Sequence, residues 1–209
     1  MCRLSVDDLG HRFGRRVLFR GLSFEMAGGT SVAVTGSNGS GKSTLLRILA
    51  GVLRPRKGEV ELQVNGASVD AEERPLHTGL VAPYLNVYDG LTARENLQFL
   101  AKARQLPNAE TRMQAVLNQV DLASRADDAV AEYSSGMKQR VKFAAALLAA
   151  PPLLLLDEPT VTLDAAGRAM VDAVKAAQVD AGRLLVVATN IANEAATCDR
   201  TISVEDFRR

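Results

Sequence analysis

The chain has 209 residues, enough for one well-buried core or for one domain with a smaller lobe. Hydrophobic residues make up 47% and charged residues 23%, which is ordinary for a globular protein and excludes extensive disorder. Its 25 basic and 24 acidic side chains leave a net charge of +1, so no broad basic field favours sequence-independent binding of nucleic acid.

The first ninety residues alternate short strands with turns and one helix. Residues 4–9 and 22–26 are predicted as strands on either side of a basic turn, residues 12–16, which is broken at Gly14. Phe13 is the one aromatic residue in that turn, and it fits either stacking on a nucleobase or burial in the core of a hairpin. There follow a buried strand at 31–35, a helix from Leu45 to Gly51, a half-exposed strand at 59–64 and a short buried strand at 79–82.

The middle of the chain changes to helical periodicity. Apolar residues recur at helical spacing from Thr92 to Val120, with a break at residues 106–108. Thr92 and Asn108 are the predicted N-caps of the two helices. We predict one domain, 1–209, in which a helical lobe over about residues 91–150 is inserted in a core formed by residues 1–90 and 151–209.

From Leu153 the α/β alternation returns. It predicts a strand at 153–156, a helix from about Ala165 to Ala181, a strand at 184–188, a short helix from about Ile191 and a last strand near 201–204. Such alternation implies a largely parallel sheet with helices packed on its faces. The expected fold class is therefore α/β, with a mostly parallel sheet core, antiparallel N-terminal strands and the inserted helical lobe.

The stretch Gly36-Ser-Asn-Gly-Ser-Gly-Lys-Ser-Thr44 fits the pattern G-x-x-x-x-G-K-[ST] between a buried strand and a helix. That context predicts a phosphate-binding loop, because glycines let backbone N–H groups turn onto phosphate oxygens. Lys42 is expected to reach the β- and γ-phosphates and the Ser43 hydroxyl to hold Mg²⁺. The alternative is an ordinary Gly/Ser turn before a helix. The predicted nucleotide contacts are Gly36, Ser37, Asn38, Gly39, Ser40, Gly41, Lys42, Ser43 and Thr44.

A second motif is the run of four leucines, residues 153–156, that ends in Asp157 and Glu158. A buried parallel strand of this kind delivers Asp157 to the carboxyl edge of the sheet, where ligands bind in open α/β folds. Asp157 is predicted to hold Mg²⁺ through water, since that ion takes few carboxylates. Glu158 is placed to polarise the water that attacks the γ-phosphate. The alternative is a pair of acids in a strand-end turn.

A third motif, Tyr133-Ser-Ser-Gly-Met137, precedes an apolar helical run. Ser134 is a natural N-cap, and a serine and a glycine at a helix N-terminus also form an anion site through free N–H groups and the helix dipole. Taken alone, the segment fits a helix cap better than a binding site.

The cysteines and the apolar stretches indicate the cellular compartment in which the chain is expected. Cys2 and Cys198 lie far apart and form no C-x-x-C pair, so neither a disulfide framework nor a zinc site is indicated. The N-terminus is too acidic for a signal peptide, and the longest apolar stretch is interrupted by two prolines before it reaches the roughly 20 residues that span a bilayer. We expect a reduced compartment and contact with a membrane only through a partner.

Together, these motifs resemble the ATP-binding cassette ATPases of ABC transporters over nearly the whole chain and in the family's order. Residues 36–44 are similar to the Walker A loop, 153–158 to Walker B with its catalytic glutamate, 133–137 to the LSGGQ signature and 160–164 to the D-loop. Phe13 stands where the family keeps its base-stacking aromatic residue.

The resemblance implies ATP and Mg²⁺ as cofactors and a head-to-tail dimer of two cassettes. In that arrangement the signature residues of one subunit contact the ATP held by the Walker A loop of the other. The signature residues so assigned are Ser134, Ser135, Gly136 and Met137.

This sequence departs from the family's pattern at three places. The Q-loop glutamine position falls on Pro83, or on Tyr84 with one gap, and neither side chain ligates Mg²⁺ as an amide does. Asn190 stands at the switch histidine position, where it can still donate a hydrogen bond to the γ-phosphate but cannot carry a proton. The signature has Ser135 for a glycine and Met137 for its glutamine. We therefore expect intact ATP binding, with Lys42, Glu158 and Asn190 as catalytic residues and slower or differently coupled hydrolysis.

The segments 81–85, 133–140 and 188–190 resemble the haem-exporter subunits associated with cytochrome c maturation. The resemblance implies an ATP-hydrolysing export subunit, peripheral on the cytoplasmic face of the inner membrane and without a nucleic-acid partner. Separate membrane subunits would dock near Pro83 to Tyr88, where the apolar contacts expected are Tyr84, Leu85, Val87 and Tyr88. Two alternatives stay open: a soluble cassette ATPase acting on ribosomes or DNA, and an ATP-gated assembly module with weak hydrolysis.

Overall fold

The computed structural model describes residues 2–208, which form two sheets and the helices that pack on them. The strands are β1 (Cys2–Phe13), β2 (Arg16–Ala27), β3 (Ser31–Thr35), β4 (Lys57–Val64), β5 (Ala67–Val69), β6 (Thr78–Val81), β7 (Leu153–Asp157), β8 (Leu184–Ala188) and β9 (Arg200–Ser203). The helices are α1 (Lys42–Leu49), α2 (Ala93–Ala103), α3 (Ala109–Gln119), α4 (Ser135–Leu147), α5 (Ala165–Asp180) and α6 (Ala192–Ala195). Short 3-10 turns occupy Arg74–His77, Ala123–Arg125, Val130–Glu132 and Val204–Phe207.

The central sheet has the strand order β6-β7-β8-β3-β9, and every pairing within it is parallel. Parallel neighbours need crossover connections, which here run through helices as the alternating pattern predicts. The strands β3 and β7 therefore end at the same edge of the sheet. The glycine-rich loop follows β3 and Asp157 closes β7, so the two chemical motifs meet at that edge.

The N-terminal strands form a second, antiparallel sheet in the order β2-β1-β4-β5. The strands β1 and β2 have 12 residues each, longer than predicted, and only Gly14 and Arg15 join them. Gly14 has a φ of 57°, which suits a tight two-residue turn. Phe13 thus ends a strand and is 54% exposed, so the alternative that it packs in a hairpin core is wrong.

The buried strands of the central sheet divide their side chains between two hydrophobic clusters. Leu153 and Leu155 of β7 pack with the antiparallel sheet and α1, whereas Leu154 and Leu156 pack with the helices on the other face. This division follows from the two-residue period of a strand and explains why the run is apolar without interruption.

Apolar residues of α2, α3 and α4 belong to the same hydrophobic cluster as Leu154 and Leu156. These helices therefore cover the face of the central sheet opposite the antiparallel sheet. Thr92 caps α2 in a complete capping box with Glu95, as predicted. Asn108 is different: it is left-handed, with a φ of 54°, and its side chain caps nothing. Asn108 therefore occupies the N-cap position of α3, as predicted, but it does not form the expected capping hydrogen bond, because the chain turns there in a left-handed conformation that asparagine tolerates. The boundaries of the helical lobe stay a prediction.

Both cysteines are free, in agreement with the sequence. Within residues 2–208, no helix combines the length and apolar character required to traverse a lipid bilayer.

Candidate functional site

The loop between β3 and α1 has the backbone geometry of a phosphate cradle. Gly36, Gly39 and Gly41 have φ values of 144°, 74° and 117°, which L side chains rarely adopt. A Cβ on Gly36 would lie 2.7 Å from the Ser40 hydroxyl oxygen, so the close turn requires glycine there. Helix α1 begins at Lys42 with no side-chain cap, which leaves its first N–H groups and the positive end of its dipole for an anion.

Three contacts from distant parts of the chain hold this loop. The Arg16 guanidinium donates to the Gly39 carbonyl at 2.7 Å, and the Asn190 amide donates to the Asn38 side chain at 3.3 Å. The Ser37 hydroxyl and backbone N–H both donate to Glu205, at 2.5 and 3.1 Å, and these bonds lower the pKa of the Glu205 carboxyl.

Sequence reasoning did not find two of these three residues. Arg16 stood out only as one member of a basic turn, and Glu205 lies 168 residues from the serine that it binds. No local pattern marks a residue whose contact depends on how the last strand returns beside β3.

Lys42 lies almost buried beneath the loop. Its ammonium group donates to the carbonyl oxygens of Gly36 and Ser37, at 2.7 and 3.3 Å, and is 3.8 Å from a Glu158 carboxylate oxygen. Glu158 has a φ of 47°, and its N–H donates to Ala188 at 2.8 Å. A glutamate in this left-handed conformation is uncommon, and the hydrogen bond holds it just past the strand end.

Asp157 ends β7 in a position that suits a cation. It is 1% exposed, and neither carboxylate oxygen has a hydrogen-bond partner among residues 2–208. Burial raises the pKa of this carboxyl; the nearby Ser43 hydroxyl opposes the rise, and the charge of Glu158 adds to it, so the net shift is upward. A buried carboxylate without a partner is costly, and a divalent cation such as Mg²⁺ would fit this position by supplying the compensating charge. Ser43 lines the same cavity.

The described chain brings most of the predicted nucleotide contacts to one cavity of about 560 Å³. Its lining includes Phe13, Arg16, Asn38, Gly39, Gly41, Lys42, Ser43, Thr44, Asp157 and Glu158. Gly36, Ser37 and Ser40 support the loop without lining the cavity, and Asn190 reaches it only through Asn38. The cavity thus combines an exposed aromatic ring, the phosphate loop and both acidic side chains.

Pro83 and Tyr84 also line this cavity, on the side of α1. The Arg47 guanidinium lies 3.9 Å above the Tyr84 ring, and burial raises the pKa of the Tyr84 phenol. The expectation that Tyr84 faces the docking groove with Leu85, Val87 and Tyr88 is therefore wrong. The chain turns at this point, and Leu85, Val87 and Tyr88 line a separate apolar cavity.

The segment Ser134 to Met137 lies elsewhere. These four residues line a second cavity of about 420 Å³ together with Thr162 and Asp164, and within residues 2–208 none of them borders the loop cavity. The Ser134 hydroxyl accepts from the Met137 N–H at 3.2 Å, so it caps α4 as predicted. Each chain therefore carries two separate halves of the predicted nucleotide site.

Comparison with known proteins settles the family. The sequence profile described as "ABC transporter" matches residues 19–161, which include the loop, the α4 N-terminus and β7. The chain belongs to the ABC transporter ATP-binding family. This confirms the resemblance that the motifs indicated.

Curated relatives of this ABC cassette are named for drug resistance and for cytochrome c biogenesis. The daunorubicin resistance ATP-binding protein DrrA3 of Streptomyces coeruleorubidus is 35% identical over 99% of this chain and 66% of its own length. The linearmycin resistance ATP-binding protein LnrL of Bacillus subtilis is 33% identical over 79% of the chain and 54% of its own. The chain thus spans less than two thirds of the length of these two relatives. The cytochrome c biogenesis ATP-binding export protein CcmA of Bordetella bronchiseptica is 37% identical, over 95% and 88%.

Solved structures give the same fold. The ATP-binding subunit of an ABC transporter superposes with a TM-score of 0.85 at 29% identity, covering 96% of this chain and 85% of that one. A dimeric ATP-binding cassette in a post-hydrolysis state, bound to ADP and phosphate, superposes at 0.83 with 26% identity, covering 96% and 93%. The predicted fold, an α/β ABC ATPase with antiparallel N-terminal strands, is confirmed.

Proposed function

We propose that this chain binds and hydrolyses ATP as the cassette subunit of an ABC transporter. The observation that carries the proposal is the loop cavity, in which Lys42, Asp157 and Glu158 converge at the carboxyl edge of the sheet. That arrangement joins a phosphate cradle, a cation-binding carboxylate and a candidate general base.

Five side chains that line the cavity, and Asn190 beside it, have a role in this proposal. Phe13, being exposed at the cavity wall, stacks on the base, and the Lys42 ammonium exchanges its carbonyl partners for phosphate oxygens. Ser43 and Asp157 would hold Mg²⁺, which when bound would supply positive charge beside the phosphates. Glu158 accepts the proton of the attacking water, and Asn190 donates a hydrogen bond to the γ-phosphate from its place beside Asn38.

The separation of the two cavities supports a functional homodimer. Because Ser134 to Met137 lie outside the loop cavity, they reach a nucleotide only when a second copy presents them. There the free N–H groups at the N-terminus of α4 face the phosphates. The dimeric cassette with ADP and phosphate, similar to this chain, is consistent with such an arrangement.

The membrane partner is proposed to dock at the apolar cavity of about 340 Å³ between β6, α2 and α4. Leu85, Val87, Tyr88 and Phe99 line it, and the rings of Tyr88 and Phe99 are more than half exposed. An apolar cavity with exposed aromatic rings is suited to an amphipathic segment of a partner. The chain would then sit peripherally on the cytoplasmic face of the membrane and drive export.

The narrower proposal is export of haem for cytochrome c maturation. Its support is the similarity to the cytochrome c biogenesis relative, which this chain covers most completely of those described above. The relatives named for daunorubicin and linearmycin resistance are 35% and 33% identical, against 37% for the cytochrome c biogenesis relative, so sequence identity alone favours haem only slightly over another cargo. Deletion of the gene distinguishes these proposals. If haem is the cargo, the deletion strain loses its c-type cytochromes, and the wild-type gene restores them whereas the Glu158→Gln variant does not. If the cargo is another compound, the c-type cytochromes remain.

ATP turnover by three variants tests the central proposal. Glu158→Gln is expected to bind ATP, stop turnover and accumulate as an ATP-bound dimer in size-exclusion chromatography. Lys42→Ala is expected to lose ATP binding, and Glu59→Gln, an exposed acid on β4, is the matched control that keeps both. Undiminished hydrolysis by Glu158→Gln would refute its role as base.

Phosphate release and affinity purification distinguish the two alternatives from this proposal. An ATP-gated assembly module predicts an ATP-dependent dimer in the wild type with negligible phosphate release, in accord with the Asn190 substitution. A ribosome- or DNA-directed ATPase predicts that affinity purification recovers ribosomes or DNA in place of an integral membrane protein.

A further inference from the structure

A basic cavity in the antiparallel sheet is separate from both nucleotide-related cavities. It has a volume of about 500 Å³ and lies where the end of β1 and the first half of β2 meet the start of β4. Arg12, Arg20, Arg56 and Lys57 line it, against one carboxylate, Asp8, so its lining has a net charge of +3. This local charge contrasts with the near-neutral chain as a whole.

Within residues 2–208, two of these cations have neither an ion pair nor a side-chain hydrogen bond. Lys57 is 2.6 Å from an Asp8 oxygen, and Arg12 donates to the Gly14 carbonyl at 2.7 Å. Among residues 2–208, neither Arg20 nor Arg56 has a carboxylate oxygen within 4 Å of its guanidinium. Their planar guanidinium groups are the donors best suited to an oxyanion.

The wall of this cavity also contains a buried imidazole with no partner. His11 is 4% exposed, and neither ring nitrogen has a hydrogen-bond partner within the described residues. Burial, followed by the charge of Arg56, lowers the pKa of His11, so the ring is neutral and one nitrogen carries a donor hydrogen at pH 7. Buried polar atoms are normally satisfied, and a ligand in the cavity would satisfy this one.

The backbone places His11 in this wall. The pairing of β1 with β2 shifts register on both sides of His11, between Leu9 and His11 and again between His11 and Arg12. Such irregularities redirect side chains from the ordinary alternation of a strand. His11 and Arg12 can therefore both line one cavity although they are consecutive residues.

We propose that this cavity binds the phosphate group of a small soluble ligand, with Arg20, Arg56 and the His11 ring as donors. A recessed imidazole among free guanidinium groups recognises an oxyanion by directed hydrogen bonds as well as by charge. The volume matches that of small-molecule sites. The His11 ring also contacts the Phe13 ring edge to face, at 4.9 Å between centroids, so the site adjoins the wall of the loop cavity.

The chain has two histidines, which makes the site directly observable. Inorganic pyrophosphate is titrated into the ¹⁵N-labelled protein, and the imidazole resonances are followed against sodium chloride of equal ionic strength. His11 is expected to shift with saturation, whereas His77, outside the cavity, is the internal control. Backbone signals of Gly39 and Gly41 report binding at the loop separately, so this test does not depend on ATP binding.

Surface variants connect the shift to the cavity. Arg20→Ala and Arg56→Ala are each expected to weaken the pyrophosphate affinity seen at His11 by about tenfold, from the loss of a charge-assisted hydrogen bond. Arg54→Ala, two residues away and outside the cavity, is the matched control that leaves it unchanged. The proposal is overturned if His11 does not respond or if all three variants respond alike. A third outcome would also overturn it: the protein binds vesicles that contain phosphatidic acid and does not bind pyrophosphate, the vesicle binding depends on Arg56, and the His11 resonance does not shift.

Discussion

The unpartnered carboxylate of Asp157 predicts that function and stability oppose each other at this residue. Asp157 is 1% exposed, and its carboxylate oxygens accept no hydrogen bond of normal geometry from residues 2–208. Replacing it by asparagine removes this buried negative charge. Leaving a buried polar or charged group unsatisfied costs about 1–3 kcal/mol, and the asparagine amide retains part of that cost. We expect Asp157→Asn to raise the free energy of unfolding of the nucleotide-free protein by about 1–2 kcal/mol at pH 7.

The sign of the pH dependence follows from the direction of the pKa shift. The pKa of Asp157 is raised in the folded state, so above that value both states are ionised and the folded state carries the full cost of the buried charge. As pH falls through the folded pKa toward the ordinary value of an aspartate, the folded state takes up the proton first and the cost disappears. The advantage of Asp157→Asn over wild type should therefore shrink on acidification.

Thermal unfolding with and without Mg²⁺ and ATP measures both effects. For a chain of this length, about 1–2 kcal/mol corresponds to a rise in Tm of about 2–8 °C. Saturating Mg²⁺ and ATP should raise the Tm of the wild type and leave that of the variant nearly unchanged, because the variant lacks the carboxylate proposed to hold the cation. Asp70→Asn, at an exposed position, is the matched control and should change neither value. An Asp157→Asn protein that is less stable than wild type at pH 7 would refute this reasoning.

Three further predictions concern the loop and the core. Gly36→Ala should lower ATP affinity at least tenfold, by strain of about 1–3 kcal/mol at a positive φ, while Gly66→Ala, at an open turn with positive φ, should leave titrated affinity intact. Arg16→Ala should weaken ATP binding by about fivefold through loss of its hydrogen bond to the loop, and equal loss in the exposed neighbour variant Arg15→Ala would contradict that cause. Leu155→Ala should lower the free energy of unfolding by about 2–5 kcal/mol in urea titration, and a smaller change would mean that β7 tolerates a cavity.

The sequence predicted the elements whose signals are local. The four leucines of β7 could be assigned to a buried parallel strand because such a strand faces apolar layers on both sides. Thr92 could be assigned as a cap because its partner Glu95 lies three residues away. Asn108 was placed correctly at the start of α3, but its missing cap hydrogen bond was not foreseen, because asparagine also tolerates a left-handed backbone and the sequence does not distinguish the two conformations.

The candidate site was predictable in part, for the same reason. The order of Gly36 to Thr44 fixes where its glycines must be, so the loop was recognisable without any distant contact. Tyr84 was misplaced because the direction of a side chain in an irregular segment depends on its neighbours in space, here Arg47 of α1. No sequence pattern marked the basic cavity around His11. Its residues come from three separate segments of the antiparallel sheet, and a register shift in β1 places His11 among them.

By itself, the sequence determined that this protein has a phosphate loop, a buried strand that presents two acids, and a capped helix that follows a serine-rich turn. Only the tertiary structure decided that the loop and the acids share one cavity whereas Ser134 to Met137 occupy another. It also decided that Glu205 holds Ser37. The physical reason is that motifs are encoded by short-range backbone conformation, while their separation depends on strand order and on helix packing across the sheet.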